Sequence, residues 1–485
     1  MYRIQNLVLT VTQFFLLVFL FPIITYAVSF TDIERIKKNV VSIEIIRFVS
    51  VDGKNTVASA TGFVVDIQDG LVVTNEHVAS DGTIAEYYVR FFTGRKVKAT
   101  HLYSDLGVDF GVLRVEPSEI PKDLYDIEFD SNVPELQDEV WTVGNTEAKG
   151  FSYHEGRISN LYTLSGIPSQ ASYLVNINTM SGASGSPLFS KDNKLLGIIY
   201  AGRGNGSGVA IVLKSFYVKD IIEKLKIGKS PVRNAINAIL EISSLDDAVR
   251  YNNFPVSVMN EYLNMCPQYL NQVIVAWSAN NDEDISSDRI LAGDILWSVN
   301  DTIIGADLTI LEAAMSQSLD GFLDITIYRN GEKLLKKIQL DDLNSTKITK
   351  LIRLSGITFS LGKGYTQGKD VILFESNYSL SHRIGIAPRS VVFYCPDYGW
   401  LLHLKSIGSK EISSIDDAIF ALMQIKNKSA SFINVVPYNI STQYRAQLIS
   451  NDEITLDLEI QKLNHEFSLF TYDSNIFDWV KTVIE

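Results

Sequence analysis

Between Asn39 and Leu213 the hydrophobic positions fall into short β-type runs, each closed by Gly, Asn or Asp. The runs are Val40–Phe48, Gly62–Ile67, Leu71–Thr74, Tyr87–Phe92, Phe110–Val115, Val140–Val143, Gly156–Leu161, Leu195–Tyr200 and Val209–Leu213. So many short strands with so few helical stretches predict an all-β barrel or sandwich pair. From Ser215 to Ile227 the apolar residues Phe216, Val218, Ile221, Ile222 and Leu225 recur near helical spacing, which predicts an amphipathic helix. Gly228-Lys229-Ser230-Pro231 closes it and reads as a linker.

Beyond Pro231 the pattern becomes mixed α/β. Gly293–Asn300, then Ile304 and a helical Leu308–Met315, echoes Leu401–Gly408, then Ile412 and a helical Ile415–Met423. Each copy reads as strand, tight turn, short strand and helix, followed by an apolar strand (Leu323–Tyr328; Ser431–Val436). Two similar α/β modules are therefore expected. The length agrees, since 485 residues allow about three domains at roughly 100–200 residues each.

Composition narrows the function classes. The chain has 43 Lys+Arg against 56 Asp+Glu, a formal charge of −13, whereas phosphate binding needs clustered basic side chains, so a nucleic-acid binder is not expected. Hydrophobic residues at 46% and charged residues at 20% exclude a largely disordered chain. Two isolated cysteines, Cys266 and Cys395, make neither a disulfide framework nor a Cys-based zinc site. Two buried free thiols and one interdomain bridge both stay open. The histidines show no ligand spacing, so neither metal nor cofactor is expected.

The first thirty residues stand apart. Phe14 to Ile24 is an apolar run, with Arg3 before it and Thr25-Tyr26-Ala27 after it, the pattern of an export signal cleaved after Ala27. The competing reading is a retained anchor over Ile4–Val28, the one segment with which the chain could associate with a membrane. Either reading puts the folded part outside the cytoplasm, in a periplasmic or other extracytoplasmic space. The expected division is 1–27 leader or anchor, 28–230 β-domain, 231–342 first module and 343–485 second module.

Candidate chemistry centres on Ser181-Gly182-Ala183-Ser184-Gly185-Ser186-Pro187-Leu188. A Ser between glycines on a turn exposes its hydroxyl, and the N–H groups of Gly182 and Ser184 can converge as an oxyanion hole. Such a nucleophile needs a base and an orienting acid. His77 closes the strand Val72-Val73-Thr74, and Asp109 opens the apolar strand that starts at Phe110. Asp105 also fits a loose acid pattern, but choosing it would bury Asp109 uncompensated inside that strand. Asp109 is therefore taken as the acid, and Asp105 is expected in a turn. The order His, Asp, Ser on a β-rich segment is that of chymotrypsin-fold proteases. A nucleophile elbow of α/β-hydrolase type is disfavoured, because it would want Gly at Ser186, a following helix and a downstream His.

Residues 39–227 resemble the protease domain of HtrA/DegP-type serine proteases. The resemblance rests on Thr61-Gly62-Phe63-Val64-Val65, Thr74-Asn75-Glu76-His77-Val78, Asp109-Phe110-Gly111-Val112-Leu113, Val143-Gly144-Asn145 and Gly182-Ala183-Ser184-Gly185-Ser186-Pro187. The Asp-Phe-Gly and Ser-Gly-Ser-Pro variants resemble most the long fungal and nuclear HtrA-like branch. The resemblance implies a mainly β fold: a chymotrypsin-like double β-barrel followed by two PDZ-like α/β modules, the second degenerate. It also implies an ATP-independent endopeptidase acting on misfolded or exposed proteins, with His77 as base and then acid, Asp109 orienting it and Ser184 attacking. PDZ modules would dock or gate substrate. Tyr200, Ala201 and Gly202 would pair with the substrate backbone, and Asn178 would lie near the base of the primary pocket. With no acidic residue there, small or medium apolar side chains are expected at the cleavage position.

The family commonly forms trimers, to which Phe30 and Ile33–Val40 would contribute. Ser186 and Ala183 depart from its usual Gly-Asn-Ser-Gly-Gly-Pro, so a peptide-binding chaperone with an idle protease site is the alternative reading. Gly202–Gly208 reads as a loop beside the specificity pocket rather than a phosphate cradle. Val273-Ile274-Val275-Ala276 is the strand expected to receive a peptide end by β-augmentation.

Overall fold

The computed structural model describes residues 30–50, 57–80, 83–105, 107–130, 132–145, 150–165, 169–202, 208–236, 238–279, 289–354, 357–361, 371–375, 401–425, 431–440, 446–448, 454–458 and 467–483. A short helix α1 (Phe30–Ile36) leads into two closed six-stranded barrels. In the first, β1 (Val40–Ser50), β2 (Val57–Asp66), β3 (Leu71–Thr74), β4 (Thr83–Arg90), β5 (Lys96–Asp105) and β6 (Phe110–Arg114) close in the order β1-β2-β3-β6-β5-β4. In the second, β7 (Glu139–Gly144), β8 (Ser152–Ser165), β9 (Gln170–Asn176), β10 (Pro187–Ser190), β11 (Leu195–Gly202) and β12 (Val209–Lys214) close as β10-β11-β12-β9-β8-β7. This is the double β-barrel that the run pattern and the resemblance imply.

Period-two alternation builds the barrels. Val41, Ile43 and Ile45 of β1 point into the first core with Val64, Val72 and Leu113, while Val40 joins Phe63, Val73 and Trp141 on the side facing the second barrel. Strands buried on both sides read as unbroken apolar runs. By contrast, β5 alternates exposed Lys96 and Lys98 with buried Val97 and Ala99, which hides it from a search for apolar runs. Ile33 and Ile36, proposed above as trimer contacts, pack on the chain's own core. Helix α2 (Ser215–Lys226) buries Tyr217 together with Val218, Ile221 and Ile222 of the expected stripe, while Phe216 and Leu225 are half-buried.

The first α/β module contains β13 (Asn234–Ala235), β14 (Ala238–Ser244), α3 (Leu245–Asn252), α4 (Val256–Met265), β15 (Gln272–Ala279), β16 (Ile295–Val299), β17 (Thr302–Ile303), α5 (Leu308–Gln317), β18 (Phe322–Arg329) and β19 (Glu332–Gln339). Its main sheet runs β14-β15-β16-β18-β19. One expectation is corrected here. The run Val273–Ala276 lies within β15, which pairs with β14 on one side and β16 on the other. Four apolar residues in a row mark a strand enclosed from all directions, so it has no free edge to receive a peptide. The outer strand is β14.

The internal echo folds alike in both halves. Ile295 pairs with Tyr328 across the first copy and Leu401 with Tyr438 across the second, and the helix Ile415–Ile425 packs Ala418, Leu422 and Ile425 on Leu404 and Ile433. The first module shares a continuous core with the barrels: Leu213, Tyr217 and Val218 belong to the same cluster as Ile236, Leu240 and Leu311. Cys266 is a buried free cysteine, whereas Cys395 lies outside the described residues.

Candidate active site

Strand β3 delivers His77 through the turn Asn75–Ser80. Buried Asn75 shapes that turn: its carbonyl accepts from the N–H groups of Val78 and Ala79, and its Nδ2 donates to the Asp109 carbonyl at 3.0 Å. Gly111 is required there, because a Cβ would sit 2.7 Å from the Asn75 oxygen. Asp109, immediately before β6, uses both carboxylate oxygens on the same residue. Oδ1 accepts the His77 backbone N–H at 3.0 Å, and Oδ2 lies 2.7 Å from Nδ1. A carboxylate acceptor fixes the proton on Nδ1 and leaves the Nε2 lone pair of the neutral ring as the basic site. Burial pushes the Asp109 carboxyl up, but the His77 ring and the N–H groups of His77 and Glu76 more than offset it and hold it below the ordinary range.

Ser184 is half-buried on the loop before β10, and the first barrel holds that loop. The Thr61 N–H donates to the Ser184 carbonyl at 2.9 Å, and the Thr61 hydroxyl donates to the Gly182 carbonyl at 2.7 Å while accepting the Asn145 N–H. Two glycines shape the loop. Gly182 has φ +94 at the third position of a turn closed by Ala183 N–H to Met180 C=O, the type II geometry. Gly185 has φ +87, and a Cβ on it would fall 2.0 Å from the Thr61 carbonyl oxygen. Among the described residues, the N–H groups of Gly182 and Ser184 donate to no other protein group.

The two departures from the family pattern fit this frame. Ala183 is buried, and so is Ser186, whose hydroxyl points where a Cβ of Gly144 would lie. Among the described residues that hydroxyl has no hydrogen-bond partner.

Asn178 is exposed just beyond β9. Tyr200, Ala201 and Gly202 end β11, with Ala201 and Gly202 paired to β12 on one side only. On the other side β10 reaches Ile198, and bonds from Gly185 and to Ser186 reach Ile199, so beyond that point the edge carries no strand. The Tyr200 side chain is buried with its hydroxyl 2.9 Å from Ser172 Oγ. The loop expected beside the pocket falls on residues 203–207, outside those described.

The expectation for Asp105 is corrected. It ends β5 with its side chain fully buried, rather than standing in a turn, and its charge is balanced by Arg233, reached only across the linker. Thr61, Asn75 and Gln170, whose side chain accepts the Asp109 N–H at 2.9 Å, are site residues that sequence reasoning did not single out. Thr61 and Asn75 stood inside the recognised motifs, whereas Gln170 had no signal.

Two closed barrels, with His77 and Asp109 paired on the first and the Ser184 loop of the second tied to it through Thr61, have the architecture of trypsin-like serine peptidases. A model of the trypsin-like peptidase domain matches residues 60–198. Curated relatives include the pro-apoptotic serine proteases Nma111 of Yarrowia lipolytica, 26% identical over 405 residues and 80% of this chain, and of Vanderwaltozyma polyspora, 24% identical over 83% of it. The chain spans only 38% and 41% of those proteins' lengths. Solved structures similar to it include the HtrA-type protease AlgW with tripeptide (18% identity, 65% of this chain and 96% of that one, TM-score 0.46) and a Yersinia pestis serine endoprotease (19%, 64% and 96%, TM-score 0.42). The chain carries a trypsin-like serine peptidase domain and is similar in sequence to the Nma111 serine proteases.

The relatives correct the expected location. They are fungal Nma111 proteins and not periplasmic enzymes, which overturns the periplasmic or extracytoplasmic assignment. The segment on which that assignment rested, residues 1–29, lies outside those described. Among the described residues no helix is long and apolar enough to cross a membrane.

Proposed function

We propose that this chain is an endopeptidase that cuts unfolded or exposed protein segments through an acyl-enzyme. His77 Nε2 takes the Ser184 proton as Oγ attacks the peptide carbonyl, and Asp109 stabilises the imidazolium so formed. The N–H groups of Gly182 and Ser184 receive the developing oxyanion, and His77 returns its proton to the leaving amine. The backbone of Tyr200–Gly202 lies along the substrate, and Asn178 borders the primary pocket. These steps use only side chains, backbone donors and water. The α/β modules regulate the protease or dock its substrate.

The observation that carries this reading is the double hold of Asp109 on His77, at 3.0 and 2.7 Å, together with a Ser184 loop tied to the same barrel through Thr61. The test is casein digestion and fluorophosphonate labelling of the full chain against Ser184→Ala. Digestion and labelling by the wild type alone are expected. Equal behaviour of both proteins, with and without unfolded substrate, would refute the reading in favour of peptide binding.

A further inference from the structure

The segment from Asp105 to Asp109 carries the acid, and contacts from outside its own barrel hold it at both ends. At the far end, the Asp109 N–H donates to Gln170 Oε1 at 2.9 Å. Gln170 is 4% exposed and opens β9; its neighbour Ser169 is bonded twice to the first module, donating to the Leu240 carbonyl at 3.1 Å and accepting the Leu240 N–H at 3.0 Å. Ser169 thus satisfies both backbone groups of one residue on the outer strand β14. At the near end, Asp105 accepts the N–H groups of Gly107 and Val108 at 2.8 and 3.3 Å, so its carboxylate shapes the turn leading to Asp109. Arg233 Nε lies 2.6 Å from Asp105 Oδ2, an ion pair by distance although its N–H is not aligned as a hydrogen bond.

Arg233 is itself fixed to the module: its carbonyl accepts the Leu343 N–H at 2.8 Å, and Nη1 lies 3.7 Å from buried Glu312 of α5. A Cβ on Gly107 would meet Leu343 Cδ1 at 2.6 Å and Arg233 Nη2 at 3.0 Å, so the turn packs directly on the module.

We propose that Gln170 and the Arg233–Asp105 pair are positioning residues for Asp109, and that through them the first α/β module sets the geometry of the acid. The proposal rests on the triad reading above. An acid that must align His77 is sensitive to displacement, since a 1 Å misplacement can cost on the order of 10²-fold in rate.

The test uses the full chain with Gln170→Leu, which removes the acceptor at similar volume, and Arg233→Lys, which keeps the charge but loses the planar fork. Casein turnover and the rate of fluorophosphonate labelling are followed against pH, with folding checked by urea unfolding. Asp109 and Arg47, whose Nη2 reaches the His77 carbonyl at 3.3 Å, are charged groups facing His77, and the variants disturb only the first.

A loosened Asp109 stabilises the imidazolium less, so the acid limb of the labelling profile should move to lower pH. Turnover should fall at least about tenfold with KM within a factor of two. Amide hydrogen exchange over 105–110, measured in a Ser184→Ala background, should quicken in both variants. A purely structural role would lower the urea midpoint while leaving the acid limb and KM-normalised turnover in place, and that result overturns the proposal. Active wild type with unchanged variants defeats the positioning role alone, whereas unlabelled wild type defeats the triad reading and the positioning role with it.

Discussion

Glu312 offers a quantitative test of the packing between module and protease. Its carboxyl is buried on α5 and faces Arg233, Asp105 and Tyr217. Burial pushes its pKa up, Asp105 adds to the rise and Arg233 opposes it, and the balance leaves the group at about 7 rather than the usual 4.5. Between those two values the folded chain keeps a proton that the unfolded chain has released. Stability therefore falls as pH rises through this window and is level above it. The gap of about 2.5 pH units corresponds to about 3 kcal/mol at 1.36 kcal/mol per unit.

Glu312→Gln mimics the protonated acid and removes the slope. Urea unfolding of both proteins at pH 5, 6, 7 and 8 should show near-equal stability at pH 5 and a growing advantage for the variant, approaching about 3 kcal/mol at pH 8. Arg233, Asp105 and Tyr217 are the same in both proteins, so the comparison isolates the replacement of Glu312. A difference that does not vary with pH, or a wild type that gains on the variant as pH rises, would refute the argument.

Other substitutions probe the site. Asp109→Asn should cut turnover on the order of 10⁴-fold by favouring the wrong His77 tautomer, with folding retained. Asp105→Asn should instead destabilise the chain by about 3–5 kcal/mol, because it strands Arg233 in the interior; equal effects of the two on turnover per folded molecule would undo the assignment of the acid. Gly185→Ala forces a side chain into φ +87 and onto the Thr61 carbonyl, and should abolish fluorophosphonate labelling while costing at least about 3 kcal/mol in denaturation. Ser186→Ala removes a buried hydroxyl that has no partner among the described residues and should raise stability by about 1–2 kcal/mol; a loss would reveal a partner for that hydroxyl.

The barrels were legible because strands such as Leu71–Thr74 are buried along their whole length and bear no polar residue before Thr74. The candidates His77, Asp109 and Ser184 stood out because each sits beside a strand with a strong apolar signal. Strands β5 and β9 escaped notice, and β5 did so because it alternates lysines with small apolar residues. Asp105 was misplaced for a specific reason. The burial penalty that argued for Asp109 assumes no counter-charge, and the counter-charge is Arg233, 128 positions further along. Gln170 was invisible because an acceptor for one backbone N–H leaves no trace in periodicity or spacing. The augmentation site was misjudged at Val273–Ala276 because an apolar run reports burial without saying which edges are already taken.

The bond from the Thr61 N–H to the Ser184 carbonyl joins residues 123 positions apart, one in each barrel. During synthesis the first barrel emerges with His77 and Asp109 before Ser184 is made, and the Ser184 loop gains its hold on that barrel only when Thr61 receives it. On the proposed reading, a growing chain carries no complete triad until both halves are made and docked. Titration of Ser184 with an active-site probe would then time the final assembly of the enzyme, with no need for an attached reporter.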